Sequence, residues 1–158
     1  VVRAMPNTPA LIGQGISGLY ARAGVDPAGR VEVEAVLAPT GRLLWFEREA
    51  DLDAVTALSG SGPAYLFFFA EAMVRAAVEM GLSEVQGREL ALATFAGATA
   101  LAQGSADALD VLRERVTSKG GTTHAAITAL QRDRVDAAFV GAMKAARDRA
   151  VELGAKFG

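Results

Sequence analysis

Two consecutive segments, residues 63–80 and 84–103, constrain the fold of this chain more than any other feature. In the first, the only charges are Glu71, Arg75 and Glu79, which recur every four residues and form one thin stripe on a helix. The second is apolar on most faces after its first turn. In a soluble protein such helices are surrounded by others, and a chain of 158 residues cannot easily surround both. We therefore expect them to pack against a second copy of the chain.

Composition excludes several classes of function. With 51% hydrophobic and 22% charged residues, the chain is typical of a globular protein. A net charge of −2 without a basic stripe disfavours nucleic acids and anionic membrane surfaces as partners. No cysteine and a single histidine leave no disulfide framework and no clustered metal ligands, so we predict no metal and a cytoplasmic location. The apolar runs are shorter than the roughly 20 residues of a membrane span.

The first 60 residues predict short strands and two helices. Strand-like runs comprise Val1-Val2, Leu11-Ile12, Ile16 to Tyr20 and Leu43 to Phe46. Asp26 before Pro27 predicts a helix start, and that helix is expected to end before Pro39. Asp51 is predicted to cap a second, short helix.

From Pro63 onward the sequence predicts helices almost to its end. The predicted N-caps are Ser83 and Ser105, and the predicted helix ends lie near Gly81, Gly104 and Gly154. The opening Val1-Val2-Arg3 has no initiator Met and resembles the interior of a strand. We therefore expect the chain to be a fragment that lacks a preceding domain.

Residues 13–18 match the dinucleotide fingerprint Gly-x-Gly-x-x-Gly letter for letter. The fingerprint requires a strand before it and a helix after it. Here Pro9 precedes it closely, and Leu19-Tyr20-Ala21 after it is β-like. We interpret the match as a coincidence in a β context.

Met5-Pro6-Asn7-Thr8-Pro9 is a rigid segment because two prolines restrict its backbone. It holds the Asn7 amide and the Thr8 hydroxyl in a set direction, although a lone pentamer of this kind also suits a plain turn. Gly60-Ser61-Gly62-Pro63 joins a glycine loop to a helix start, where Ser61 and backbone N–H groups can face a ligand. The alternative there is a helix cap and nothing more.

Val116 to Thr123 is the strongest local signal. Gly120 and Gly121 can expose consecutive N–H groups to an anion, and a helix starting near Thr122 adds its positive end. The alternative is a loop with an ordinary threonine cap. His124 follows directly, and we expect it to face solvent.

In this order and at these separations, residues 5–9, 60–65 and 116–123 resemble the motifs of pyrroline-5-carboxylate reductases, and the similarity runs from Arg3 to about Leu153. The resemblance implies a mainly α fold, with an interlocked helical dimerisation domain at residues 61–158. Residues 1–60 would be the short β remnant of a Rossmann-like, dinucleotide-binding domain. It further implies a homodimer, often assembled into a decamer.

The implied reaction is the reduction of 1-pyrroline-5-carboxylate to L-proline, the last step of proline biosynthesis, with NADPH or NADH as cofactor. The fragment alone is expected to be inactive, because its phosphate-binding loop would lie upstream of Val1. By resemblance, Thr123 is the catalytic hydroxyl near the imine nitrogen. The remaining site residues are Ser118, Gly120, Gly121 and Thr122 for the substrate carboxylate, Asn7 and Pro9 beside the nicotinamide, and Ser61 and Pro63 lining the pocket.

One position departs from the family pattern. Lys119 stands where the family often has proline, and it adds a backbone N–H and a positive charge beside an anion site. Two alternatives compete with the reductase. One is a helical dimerisation module without activity, and the other is a 3-hydroxyacid dehydrogenase-like C-terminal domain. That second family uses a lysine on a long central helix, whereas residues 63–103 contain none.

Overall fold

The computed structural model describes residues 1–157 and the side chains of residues 1–156. The chain divides into two compact units, one formed by residues 1–66 with the chain from 140 onward, the other by residues 67–139. Seven α-helices and one three-stranded sheet account for most of the described residues, which confirms the predicted mainly α fold with a short N-terminal β region.

The sheet lies in the first unit and has the order β1-β2-β3, with β1 at Val2–Met5, β2 at Gly15–Ala21 and β3 at Gly41–Phe46. Strand β2 runs antiparallel to β1 and parallel to β3. Its centre is fully buried, with Leu19 0% exposed. At the start of the parallel pair, a Cβ on Gly41 would lie 2.1 Å from the Gly15 carbonyl oxygen, so only glycine fits there.

The N-terminal predictions are confirmed at α1 and corrected elsewhere. Helix α1 covers Pro27–Leu37, and the Asp26 carboxylate accepts the Gly29 N–H at 2.8 Å as a cap. The predicted strand at Leu11-Ile12 is wrong. Both residues belong to a 3₁₀ turn, Thr8–Ile12, because Pro9 fixes the turn and cannot donate to a strand ladder.

Helix α2 covers Asp51–Val55, but Asp51 is not its cap. The Asp51 carboxylate instead accepts hydrogen bonds from the Arg48 guanidinium, because a residue inside the first turn points away from the free N–H groups ahead of it. A π-helical turn, Thr56–Gly60, follows without a break.

Helices α3, Gly62–Glu79, and α4, Glu84–Gln103, are joined at Gly81, whose φ of 95° is left-handed. The predicted cap at Ser83 is confirmed as a capping box, in which Ser83 and Gln86 each accept the other's backbone N–H. The two helices approach closely where small residues meet. A Cβ on Gly87 would lie 2.8 Å from the Cβ of Ala77.

The charged stripe on α3 lines a groove of about 790 Å³ between α3 and α4. Glu71, Arg75 and Glu79 are exposed there. No ion pair joins Arg75 to Glu71 or Glu79 among the described side chains, although a spacing of four residues on a helix allows such pairs. Within the described part of the chain, the groove therefore keeps charges without an ion-pair partner along its α3 side.

The last three helices are α5, Leu109–Arg115, α6, Thr122–Arg132, and α7, Val135–Phe157. Ser105 is not an N-cap, because α5 begins only at Leu109 and the Ser105 hydroxyl instead accepts the Asp107 N–H within a turn. Gly154 lies inside α7 rather than at its end. A single glycine lowers helix stability but does not by itself stop a helix.

Candidate functional site

The loop between α5 and α6 closes on itself through its own backbone. Thr117 lies just after α5 and caps its last turn. Its N–H donates to the Glu114 carbonyl at 2.9 Å, and its hydroxyl donates to the Arg113 carbonyl at 2.6 Å. The next turn is closed by the Gly121 N–H, which donates to the Ser118 carbonyl at 3.0 Å. Gly120, with a φ of 78°, makes this turn possible.

The start of α6 keeps free hydrogen-bond donors. Its first helical bond runs from the Ala125 N–H to the Gly121 carbonyl, at 3.1 Å. The N–H groups of Thr122, Thr123 and His124 have no partner among the residues that the structure describes, and Gly121 has no side chain to cap them. Three free N–H groups at the positive end of a helix dipole form an anion-binding arrangement.

Hydroxyl groups surround these donors. The hydroxyls of Ser118, Thr122 and Thr123 make no hydrogen bond within residues 1–156, and Thr123 is the half-buried one of the three. The Ser118 hydroxyl folds over the backbone so closely that a Cβ on Gly121 would lie 2.7 Å from it. A side chain at position 121 would therefore displace the Ser118 hydroxyl from this arrangement.

Two expectations for this loop change in detail. The Gly121 N–H is bonded to Ser118, so the prediction that both glycine N–H groups are exposed is wrong for Gly121. Its place is taken by the N–H groups at the start of α6. His124 and Lys119 are exposed, the first as predicted.

Ser61 presents a different kind of helix start. Its N–H donates to the Thr56 carbonyl at 2.8 Å, because the π-helical turn leads directly into α3. Of the backbone N–H groups expected to face a ligand at this motif, that of Ser61 is therefore already occupied. Pro63 has no N–H to donate, and the half-buried Ser61 hydroxyl is a polar group that this motif can offer to a ligand.

Asn7 is oriented by a hydrogen bond within the first unit. Its side-chain oxygen accepts the Ile16 N–H at 3.0 Å, which ties the 3₁₀ turn to β2. The Asn7 amide NH₂ has no partner among the described residues and stays available as a donor. Pro9 is half-buried beside it, and its carbonyl accepts the Gln14 N–H at 3.1 Å.

The first two motifs lie side by side in the first unit. A Cβ on Gly60 would lie 2.7 Å from the terminal methyl of Met5, so the end of β1 touches the π-helical turn. The loop at residues 116–123 belongs to the second unit. The β context expected for residues 13–18 is confirmed, since Gly13 ends the 3₁₀ turn and Gly15 begins β2.

Sequence reasoning missed Tyr65. Its hydroxyl donates to the Ala57 carbonyl, eight residues earlier, at 3.0 Å. A half-buried tyrosine at the start of a helix commonly needs a partner for its hydroxyl. That signal was present, but the acceptor could not be located without the fold.

Several charged side chains form ion pairs in the described part of the chain. Glu49 accepts hydrogen bonds from Arg3 and Arg22 at 2.8 and 3.2 Å, and these bonds lower the pKa of its carboxyl. Hydrogen bonds from Arg132 likewise lower the pKa of Asp133. In the described part of the chain no group of three or more acidic, His or Cys side chains is arranged to hold a metal. Nor does any described helix have the length and apolar character to span a bilayer.

Residues 49–153 match the model of a protein family described as "Pyrroline-5-carboxylate reductase dimerisation". The chain is 46% identical over its full length to a pyrroline-5-carboxylate reductase of Pseudomonas aeruginosa, and it covers 58% of that protein. It is 40% identical over 154 residues to the Haemophilus influenzae reductase, of which it covers 57%. The chain thus spans little more than half the length of these relatives.

Solved structures show the same similarity. A pyrroline-5-carboxylate reductase from Coxiella burnetii superposes with a TM-score of 0.92 at 39% identity, over 96% of this chain and 56% of the other. A Plasmodium falciparum pyrroline carboxylate reductase with NADP bound gives a TM-score of 0.91 at 29% identity, over 97% and 62% of the two chains.

Proposed function

Because the chain belongs to the pyrroline-5-carboxylate reductase family, we propose that the enzyme containing it reduces 1-pyrroline-5-carboxylate to L-proline with NADPH or NADH. The chain spans 58% of its Pseudomonas relative, so the proposal concerns this chain joined to a dinucleotide-binding domain. For the chain by itself, we propose a dimerising module without reductase activity.

The observation that carries this proposal is the open start of α6. The substrate is a cyclic imine with a carboxylate, and free N–H groups at a helix start suit that anion. Ser118, Gly120, Gly121 and Thr122 form the proposed carboxylate cradle. Among the hydroxyls of Ser118, Thr122 and Thr123, which make no hydrogen bond within the described residues, that of Thr123 is half-buried and the other two are exposed. We assign to Thr123 the hydrogen bond to the imine nitrogen, where charge changes during reduction.

The nicotinamide cofactor would supply the hydride, which leaves the protein to orient the two reactants. Asn7 fits a role beside the nicotinamide, because its side chain is fixed by Ile16 while its NH₂ remains a free donor in the described structure. Pro9 is the rigid neighbour of this donor. Ser61 and Pro63 are assigned to the lining of the imine pocket.

A homodimer is proposed from the surface of α3 and α4. Phe67 and Phe68 are 57% and 64% exposed, and Leu90 and Leu101 are 56% and 75% exposed. Apolar surface of this kind marks an interface, and a second copy would cover it as in an obligate dimer. We further propose that such dimers assemble into a decamer and that the enzyme is cytoplasmic. We also place the boundary between the dinucleotide-binding domain and the helical domain near residue 60.

Steady-state kinetics test the activity. The complete enzyme is expected to oxidise NADPH or NADH only when 1-pyrroline-5-carboxylate is added, and a complete enzyme that does not turn over this imine would refute the assignment. Light scattering tests the assembly, since a stable monomer at micromolar concentration would contradict the dimer. Calorimetry on the chain alone should find no micromolar binding of either nucleotide, because residues 13–18 lie in a β context.

A further inference from the structure

The Tyr65 hydroxyl is bound to a carbonyl that the local helix leaves without its usual partner. In an α-helix the Ser61 N–H would bond the Ala57 carbonyl, four residues back. Here it bonds Thr56, five residues back, at 2.8 Å. The Ala57 carbonyl accepts the Tyr65 hydroxyl instead, at 3.0 Å. Ala57 is 4% exposed, so water cannot easily replace this donor, and an unpaired buried carbonyl is costly.

The π-helical turn sets the direction of the pocket-lining motif. Its wider path brings Gly60 against the terminal methyl of Met5, at 2.7 Å from the position of a Cβ. One residue of helix register corresponds to a rotation of about 100° around the axis. Return of the turn to an α register would therefore redirect Ser61 and move Gly60 away from Met5. Turns of this type occur frequently at functional sites.

We infer that Tyr65 is a positioning residue of the reductase. Its hydroxyl holds the Thr56–Gly60 turn in the π register and thereby fixes the Ser61 hydroxyl toward the cyclic imine. This inference rests on the proposed function, because it assumes that Ser61 lines the substrate pocket. Tyr65 itself touches neither substrate nor cofactor in this assignment.

The test is Tyr65→Phe in the complete enzyme, with Tyr20→Phe as a matched control. Tyr20 is the only other tyrosine and is also half-buried, and its hydroxyl makes no hydrogen bond within the described residues. Tyr65→Phe should raise the KM for 1-pyrroline-5-carboxylate about tenfold, with kcat within about twofold of the unmodified enzyme. Tyr20→Phe should change neither. Partial unfolding would instead lower kcat through the fraction of active enzyme and leave KM unchanged.

A double-mutant cycle with Ser61→Ala shows whether Tyr65 acts through Ser61. If it does, the double variant should have the KM of Ser61→Ala alone. Additive increases in KM, or an unchanged KM in Tyr65→Phe, would overturn the inference. If Tyr65→Phe does not fold, the enzyme with 4-aminophenylalanine at position 65 provides the test. This residue carries an amino group in place of the hydroxyl and can still donate to the Ala57 carbonyl. A near-normal KM then supports the inference, and a large increase contradicts it.

Amide hydrogen exchange separates this inference from the proposed function. The Ser61 amide should exchange faster in Tyr65→Phe than in the unmodified protein or in Tyr20→Phe, whatever the enzyme reduces. If the unmodified enzyme does not reduce the imine, the proposed function fails while this exchange result still tests the hydrogen bond. Unchanged exchange at Ser61 in an active enzyme refutes the role of Tyr65 alone.

Discussion

Two helix starts in this chain look alike in sequence and differ in what they can bind. Gly60-Ser61-Gly62-Pro63 begins α3, and Gly120-Gly121-Thr122-Thr123 begins α6. Each combines two glycines with hydroxyl side chains. At the first, the Ser61 N–H is already bonded to Thr56. At the second, three consecutive N–H groups have no partner in the described structure.

The difference arises from what precedes each helix. A helical turn leads directly into α3, so carbonyls lie within reach of the Ser61 N–H. Before α6 the backbone is extended, with Gly121 at a ψ of 175°. The Ser118 carbonyl accepts the Gly121 N–H, and the N–H groups of Thr122, Thr123 and His124 have no partner among the described residues. In this chain, the glycine-rich start that the backbone enters from an extended residue is the one that keeps three consecutive free donors for an anion.

Loss of the Thr123 hydroxyl should have the largest effect. In the complete enzyme, Thr123→Ala should lower turnover roughly a hundredfold to a thousandfold, because one positioned hydrogen bond to a changing charge is worth a few kcal/mol. Ser61→Ala, at the other helix start, should change mainly KM. Steady-state kinetics on both variants measures this contrast.

Cofactor affinity and circular dichroism serve as controls for Thr123→Ala, and neither should change. If turnover is unaffected, the hydroxyl contributes nothing to the reaction and the assignment of the imine contact fails.

Thr122→Ala should act on binding alone. If Thr122 holds the carboxylate equally in ground state and transition state, its loss raises the KM for the imine about tenfold and leaves kcat nearly unchanged. A tenfold change corresponds to about 1.4 kcal/mol. A fall in kcat of similar size would contradict the assignment of carboxylate binding to Thr122 and of the imine contact to Thr123.

Replacing one glycine at each helix start by alanine, Gly120 before α6 and Gly62 at α3, tests how much each backbone conformation depends on glycine. Gly120 has a φ of 78°, which an alanine adopts only at a cost of roughly 1 to 2 kcal/mol. Gly62 has ordinary helical geometry and open space around its Cβ position. Gly120→Ala should therefore lower the urea midpoint strongly, whereas Gly62→Ala, which adds only a Cβ before Pro63 in a helical backbone, should lower it less.

Equal urea midpoints for the two alanine variants would mean that the left-handed turn at Gly120 is not required. The imine KM of Gly120→Ala, measured in the complete enzyme, should rise as well, since the turn sets the direction of Ser118.

The smallest expected effect concerns the ion pairs that support the first unit. Arg3 and Arg22 lower the pKa of Glu49 below its ordinary 4.5. The stabilisation is thus fully present above that unfolded-state value and is lost as pH falls through the lower folded-state pKa. Glu49→Gln should therefore lower the urea midpoint slightly at pH about 7 and have no effect at pH about 2.

Glu47→Gln is the control for Glu49→Gln, because Glu47 is exposed and has no ion pair among the described side chains. Its midpoint should follow the unmodified chain at both pH values. A larger effect of Glu49→Gln at low pH than at neutral pH would contradict the prediction that these ion pairs stabilise the fold only above the folded-state pKa of Glu49.

Local sequence signals predicted the parts of the fold that depend on neighbouring residues. Asp26 and Ser83 cap their helices as expected, because a cap bonds an N–H three residues ahead. Gly81 ends α3, and α6 begins at Thr122. Signals of the same kind failed at Ser105 and Asp51, where a nearby side chain or turn offered another partner.

The sequence by itself therefore determined the mainly α fold, the three motifs and the excess of apolar surface on α3 and α4. Only the tertiary structure decided which helix start is open, because that depends on where each N–H finds a carbonyl. It also decided that Asn7 is held by Ile16 and that Tyr65 reaches back to Ala57. These bonds join residues eight or nine positions apart, and their formation depends on the folded path of the chain rather than on any local preference.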